Sequence, residues 1–278
     1  MRPQNTDRTL ERVVMSIELG PETVDLIIDH LHDDKLSLQA CSMTCKRWLP
    51  SSRYHLFSEI YLSPFNVNKF RQLLETTHCS IASIVRRLTL SEFNGYICWR
   101  EGINITTANE DLRSVSVCLR AVTFLRVVHS EGLDPDILSG WNSVRELEMV
   151  NLSVSSMDDV FGPVRDIPEL QTLSMENVNW DSGSRDHSRR SSFTLRTMKL
   201  EGNAFADVTN WLLGSNPSPT VHTLHCDAYD PATSKSRDSL LQIVGHSITS
   251  LHLHLTNRPT GLEGTFHPIR FILLLIHF

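Results

Sequence analysis

Two groups of metal-capable side chains stand near the N-terminus, and neither completes a site. His30 and His32 lie beside Asp33 and Asp34, imidazoles and carboxylates that suit a transition metal. They straddle the end of an apolar-striped segment, where solvated polar residues are the bland alternative. Cys41 and Cys45 are four residues apart, one turn along a helix face. A structural zinc site takes about four ligands, and no second pair follows nearby, so these thiols read as small core residues. Further along, His225, His252 and His254 alternate with apolar residues. They give either a pH-dependent binding surface or ordinary surface histidines. No Gly-x-Gly-x-x-Gly, phosphate-binding loop or Gly-x-Ser-x-Gly elbow is present, and no nucleophile–base pair stands out. The expectation is a protein that is not an enzyme and holds no cofactor or metal.

The formal charge of the 278 residues is −6, and the pI is about 6.1. That balance offers no basic footprint for nucleic acid. The six cysteines form no Cys-x-x-Cys pair, and Met1 to Arg12 is polar and charged. A reducing cytoplasmic or nuclear setting fits this usage. No apolar run reaches membrane-spanning length.

The elements that would position any site begin after a disordered segment, 1–17. Pro21 suits a first helical position, and Val24, Ile27, Ile28 and Leu31 follow at i, i+3, i+4 and i+7. Helices are expected over 21–32, 37–49 and 51–56, the second striped by Leu38, Cys41, Cys45, Trp48 and Leu49 and ended by Pro50. So small a helical unit hardly sustains a core alone.

The string LGPETVDLIIDHL…LSLQACSMTCKRWLPSSRYHLF resembles the F-box, in the form common in mushroom-forming fungi. The match rests on Leu19, Pro21, Ile27, Ile28, Leu31, Cys45, Lys46, Arg47 and Trp48, and departs by the extra Gly20 between Leu and Pro. The resemblance covers 18–62. It implies docking onto a Skp-family adaptor and, through it, a cullin-type ubiquitin ligase. The implied adaptor contacts are Leu19, Pro21, Ile27, Ile28, Leu31 and Trp48, with the isoleucines, Pro21 and Leu31 shared with the core of the unit itself and Trp48 weighted towards that core.

Beyond it a pattern repeats: apolar-x-x-apolar-x-apolar. It starts at Phe57, Val85, Val122, Val144, Leu170, Leu195, Val221 and Ile248. The last two apolar residues of each copy, such as Leu147 and Met149, share one face of a strand. Helical stripes lie between, for example Val67, Phe70, Leu73 and Leu74. One copy cannot bury its face alone, whereas stacked copies can. The pattern is similar to degenerate leucine-rich repeats over 57–256, and the domain is assigned to 57–278. Only Asn203 stands where that family places its turn asparagine, while Asn66, Asn94, Asn151, Asn177 and Asn257 are one position off. The expected fold class is α+β overall: a small all-α F-box hook, then an α/β leucine-rich-repeat-like solenoid with parallel strands. Some other α/β arrangement of helices and parallel strands is the alternative.

Residues alternating with the core pair should face a target: Glu146, Glu148, Thr172, Ser174, Thr197, Lys199, Thr223, His225, Ser250 and His252. Their mixed sign suits a folded protein. Phe93, Tyr96 and Trp99 lengthen one interval, either as a binding loop or by folding back onto the core. Residues 181–192 read as a mobile polar loop with an Arg189-Arg190-x-Ser192 kinase-type motif. The apolar tail from Arg270 reads as a further strand or the frayed end of a truncated chain. Two functions remain open. One is a non-catalytic substrate-recognition subunit of a Skp–cullin–F-box ligase, with an unknown protein substrate. The other is a repeat scaffold with no role in ubiquitin transfer.

Overall fold

The computed structural model describes residues 19–76, 79–131, 133–180, 194–202, 208–209, 212, 220–227, 231–255 and 269–274. The chain divides between Leu56 and Phe57 into two compact units. The polar 181–192 loop, its kinase-type motif and Asn203 lie outside the described residues.

The first unit holds α1 (Pro21–His30), α2 (Lys35–Thr44) and α3 (Leu49–Phe57). Helix α1 starts on Pro21, which needs no intrahelical donor there. Helix α2 starts on Asp34, whose side chain accepts from the Leu36 and Ser37 amides at 3.1 Å each. The Ser37 hydroxyl also donates to this carboxylate, and these bonds hold Asp34 below the ordinary aspartate range. The expected second helix, 37–49, is therefore displaced. It ends at Thr44, and Cys45 is extended. Pro50 does not end a helix but lies in the first turn of α3, where its missing N–H would have no partner anyway. The first helix likewise ends at His30 rather than residue 32.

Val24, Ile28 and Leu38 form the buried centre of this unit, with Leu31, Trp48 and Leu56 packed around it. Two polar contacts tie α1 to α3 on the surface. Asp25 accepts from the Ser51 hydroxyl, and Asp29 meets His55 Nε2 at 2.8 Å. Both members of each helix are four residues apart, so the two contacts stack one turn above the other.

The second unit is mixed α/β. Its main sheet has, among the described residues, nine strands: β1 (Glu59–Leu62), β2 (Arg87–Ser91), β3 (Phe124–Val128), β4 (Glu146–Val150), β6 (Thr172–Glu176), β8 (Thr194–Glu201), β9 (Thr220–Asp227), β10 (Ser250–Leu255) and β11 (Ile269–Leu274). The first eight pair in parallel with their neighbours in chain order. The ninth pairs antiparallel with β10. A two-stranded sheet joins β5 (Ser153–Val154) to β7 (Asn179–Trp180). Every copy of the apolar pattern ends in a parallel strand. Helices α4 (Val67–Leu74), α5 (Gly95–Arg100), α6 (Ile105–Cys118), α7 (Met157–Asp166) and α8 (Pro231–Val244) lie between strands. The core runs along the sheet through pairs such as Leu88 and Leu90, Leu125 and Val127, Leu147 and Met149, and Leu173 and Met175, all essentially inaccessible.

Between α4 and α6 the Asp111 carboxylate is buried but fully served. It accepts from Asn68 Nδ2 at 2.8 Å and from Arg71 Nε at 2.7 Å. Among the described residues no helix is long and apolar enough to cross a membrane.

The strands leave the sheet through a column of left-handed residues. Glu92, His129, Asn151 and Asn177 have φ between 50° and 61°, and Gly202 has φ 69°. Each of the first four donates its amide to the carbonyl ending the next strand: Val128, Val150, Glu176 and Glu201 respectively, at 2.9–3.3 Å. Asn177 Nδ2 also donates to Asn151 Oδ1 at 3.1 Å. Asparagine tolerates this backbone because its short polar side chain bonds locally. Asn151 and Asn177, one position away from the place expected by resemblance, thus hold the corner themselves. At Gly202 an added Cβ would come within 2.2 Å of Asn177 Oδ1. Gly202→Ala therefore combines left-handed strain with a clash, and should cost about 1–3 kcal/mol. Denaturant melting that finds Gly202→Ala as stable as the parent chain would refute this account of the corner.

Candidate functional site

Two surfaces carry the residues that sequence reasoning singled out. On the first unit, Leu19 and Ile27 are 39% and 37% exposed, and Pro21 is exposed as well. Ile28 is different: it is completely buried. Of the two roles expected of it, the structure shows the core one, in a cluster with Val24 and Leu38. Leu31 and Trp48 are half-buried against the same centre, so most of each is occupied in holding the unit together.

Sequence reasoning missed the larger apolar side chains that the unit exposes. Leu26 is 62% exposed, Leu36 78% and Met43 86%. Helix α2 buries Leu38 and Cys41, while Leu36, Ala40 and Met43 recur at i, i+4 and i+7 on the opposite side. The helix is thus apolar on two faces, and one faces water. The signal was present in the sequence: a helix with two apolar stripes has one more than its own unit can bury.

The second surface is the sheet face opposite the buried leucines. The strand register aligns its side chains in two rows. One row runs Tyr61, Thr89, Arg126, Glu148, Ser174, Lys199, His225, His252. The other runs Glu59, Arg87, Phe124, Glu146, Thr172, Thr197, Thr223, Ser250. All ten residues expected to face a target fall in these rows. The positions on β1 to β3 were missed, although the same alternation marks them.

The rows differ in charge along their length. Near β1 to β4 the charges meet each other: Arg87 approaches Glu59 at 3.9 Å and lies 3.8 Å over the Phe124 ring, and Arg126 meets Glu148 at 3.5 Å. Burial and the Glu59 carboxylate push the Tyr61 phenol above its ordinary range. Towards β10 the side chains become hydroxyls and bases. The His225 and His252 rings stack, with centroids 4.1 Å apart and planes 12° from parallel, and Ser250 Oγ lies 2.9 Å from His252 Nε2. Lys199 has no ionic partner among the described residues.

The aromatics of the 91–110 excursion divide between core and solvent. Phe93 is completely buried, whereas Tyr96 and Trp99 on α5 are 68% and 78% exposed. Among the described residues no group of three or more His, Cys, Asp or Glu side chains is placed to hold a metal ion. His32 Nδ1 bonds instead to the Asp29 carbonyl at 2.8 Å, and Asp34 is the cap of α2.

A scan of the chain against protein-family models and a search of the curated proteins find no match.

Proposed function

We propose that this chain is a non-catalytic substrate-recognition subunit of a Skp–cullin–F-box type ubiquitin ligase. In this reading the first unit docks a Skp-family adaptor, and the open face of the leucine-rich-repeat-like second unit holds a protein target. The supporting observation is the second apolar face of α2. Leu36 and Met43 stand in water at 78% and 86% exposure on a unit whose buried centre is three residues. A unit this small does not expose such surface to its own advantage, and large exposed apolar patches mark interaction sites. The chain would then act by proximity, bringing a target beside a charged conjugating enzyme.

The test is capture of a purified Skp-family adaptor by the full chain. The double variant Leu36→Asp/Met43→Asp should lower capture by about a hundredfold or more, since each side chain acts as an anchor worth about 2 kcal/mol. Its circular dichroism should match the parent chain, because neither residue is core. If the parent chain fails to bind the adaptor, the proposal is wrong. If the adaptor is held but a cullin is never recovered with it, the chain is a scaffold instead.

A further inference from the structure

A column of residues stands just before or within the first residues of the parallel strands. It runs Arg86, Thr123, Arg145, Gln171, Arg196, His222 and Thr249, linked by the bonds of the Thr123, Arg145, Gln171, Arg196 and Thr249 amides to the preceding carbonyls. Three arginines occur in it. Arg86 Nη1 donates to the Ser83 carbonyl at 2.7 Å. Arg145 approaches the Glu169 carboxylate at 3.9 Å. Arg196, which is exposed, has neither kind of partner among the described residues.

Arg196 lines an open groove of about 570 Å³ together with Gln171, Thr194, His222, Thr223 and Thr249. Each of these side chains can donate a hydrogen bond, and among the described residues no carboxylate lines the groove. The Thr249 hydroxyl is committed to the His222 carbonyl at 3.1 Å. His222 Nδ1 lies 3.4 Å from the Leu195 carbonyl, and Nε2 has no hydrogen-bond partner among the described residues. Gln171, Thr194 and Thr223 have no side-chain partner among the described residues. A planar guanidinium with unused donors, ringed by further donors, matches the geometry of a phosphate or carboxylate. The neighbouring open face continues the trend, with Lys199, His225 and His252 in adjacent register.

We propose that this groove binds an anionic group, a phosphate or a carboxylate, presented by the protein target. The inference rests on the second unit being the target-binding part. It gives that otherwise mixed surface one point of chemical selectivity. The arginines of the open face on β2 and β3 each have a carboxylate within 4 Å, Glu59 and Glu148, so the anion-seeking end of the surface lies at β8 to β10.

The experiment uses the full chain, with inorganic phosphate and acetate as probes, and follows the imidazole NMR signals of His222, assigned with a His222→Gln variant. Saturable shifts are expected, with half-saturation at about 1–10 mM for so small a probe. Arg196→Gln should weaken them about tenfold or more. Arg145→Gln, in the same column but already paired, should leave them unchanged. Shifts with phosphate alone assign the groove to phosphate-bearing targets, and shifts with both ions show that a carboxylate suffices. Absence of saturation with either ion, or equal shifts in Arg196→Gln and the parent chain, overturns the proposal. Adaptor capture by Arg196→Gln should be intact, so failure of the groove is separable from failure of the docking reading.

Discussion

Ile28→Ala should unfold the first unit while the sheet unit stays folded. Ile28 is completely buried and touches the other two members of a three-residue centre, Val24 and Leu38. Truncating a buried isoleucine costs about 2–5 kcal/mol. A helical unit of this size has few kcal/mol to lose, because it buries too little surface to offset its chain entropy. The loss therefore exceeds what holds α1, α2 and α3 together. Hydrogen exchange resolves the two units: amides of residues 21–57 should lose protection, while those of β2 to β6 keep theirs. Leu26→Ala is the comparison. Leu26 is 62% exposed on the same helix, and its truncation should shift stability by about 0.5 kcal/mol or less. If Ile28→Ala leaves the protection of residues 21–57 intact, the unit draws its stability from somewhere other than this centre.

Trp141→Ala should be the most costly single truncation in the sheet unit, at about 3–5 kcal/mol. Trp141 is 2% exposed and heads the largest buried side chains of the core. It also walls a recess of about 400 Å³ with Ser116, Val117, Arg120 and Asn142. Truncation would open that recess inwards, so water can enter part of the void and hold the cost towards the lower end. Trp141→Phe behaves differently. The indole Nε1 is buried with no hydrogen-bond partner among the described residues, and an unmade bond of this kind costs about 1–3 kcal/mol. Phenylalanine removes that group while losing some contact area, so the two effects offset to within about 1.5 kcal/mol. Exchange protection of β3 to β6 reports the difference. A phenylalanine variant as unstable as the alanine one would show that the indole N–H is satisfied in solution.

Much of the second unit was legible beforehand for a simple reason. Two apolar residues spaced by two must share a strand face. Eight such pairs became eight parallel strands in chain order. The alternating positions on β4 to β10 followed by the same parity, and they fell on the open face as expected. Helix periodicity likewise located α4 from Val67, Phe70, Leu73 and Leu74.

The first unit shows the limit of that reasoning. Ile27 and Ile28 are adjacent and chemically alike, so periodicity alone could not say which one α1 buries. The contact with Leu38 decided it. Leu36 and Leu38 pose the same problem on α2, where a helix with two apolar faces presents only one to its neighbours. Proline breaks a helix interior, so by type Pro50 is a stop, but the same missing N–H makes it suitable for a first turn.

By itself, the sequence determined the spacing of the strands, the faces their side chains occupy and the helical character of the N-terminal segment. These depend on local periods, which need no knowledge of distant residues. Tertiary structure alone decided which apolar side chains are left in water, that Asn151 and Asn177 hold the left-handed corners, and that the last strand runs antiparallel. It also decided that Arg196 meets no carboxylate among the described residues while Arg145 finds Glu169. Each of these depends on what a residue far along the chain brings alongside, and no local pattern carries that information.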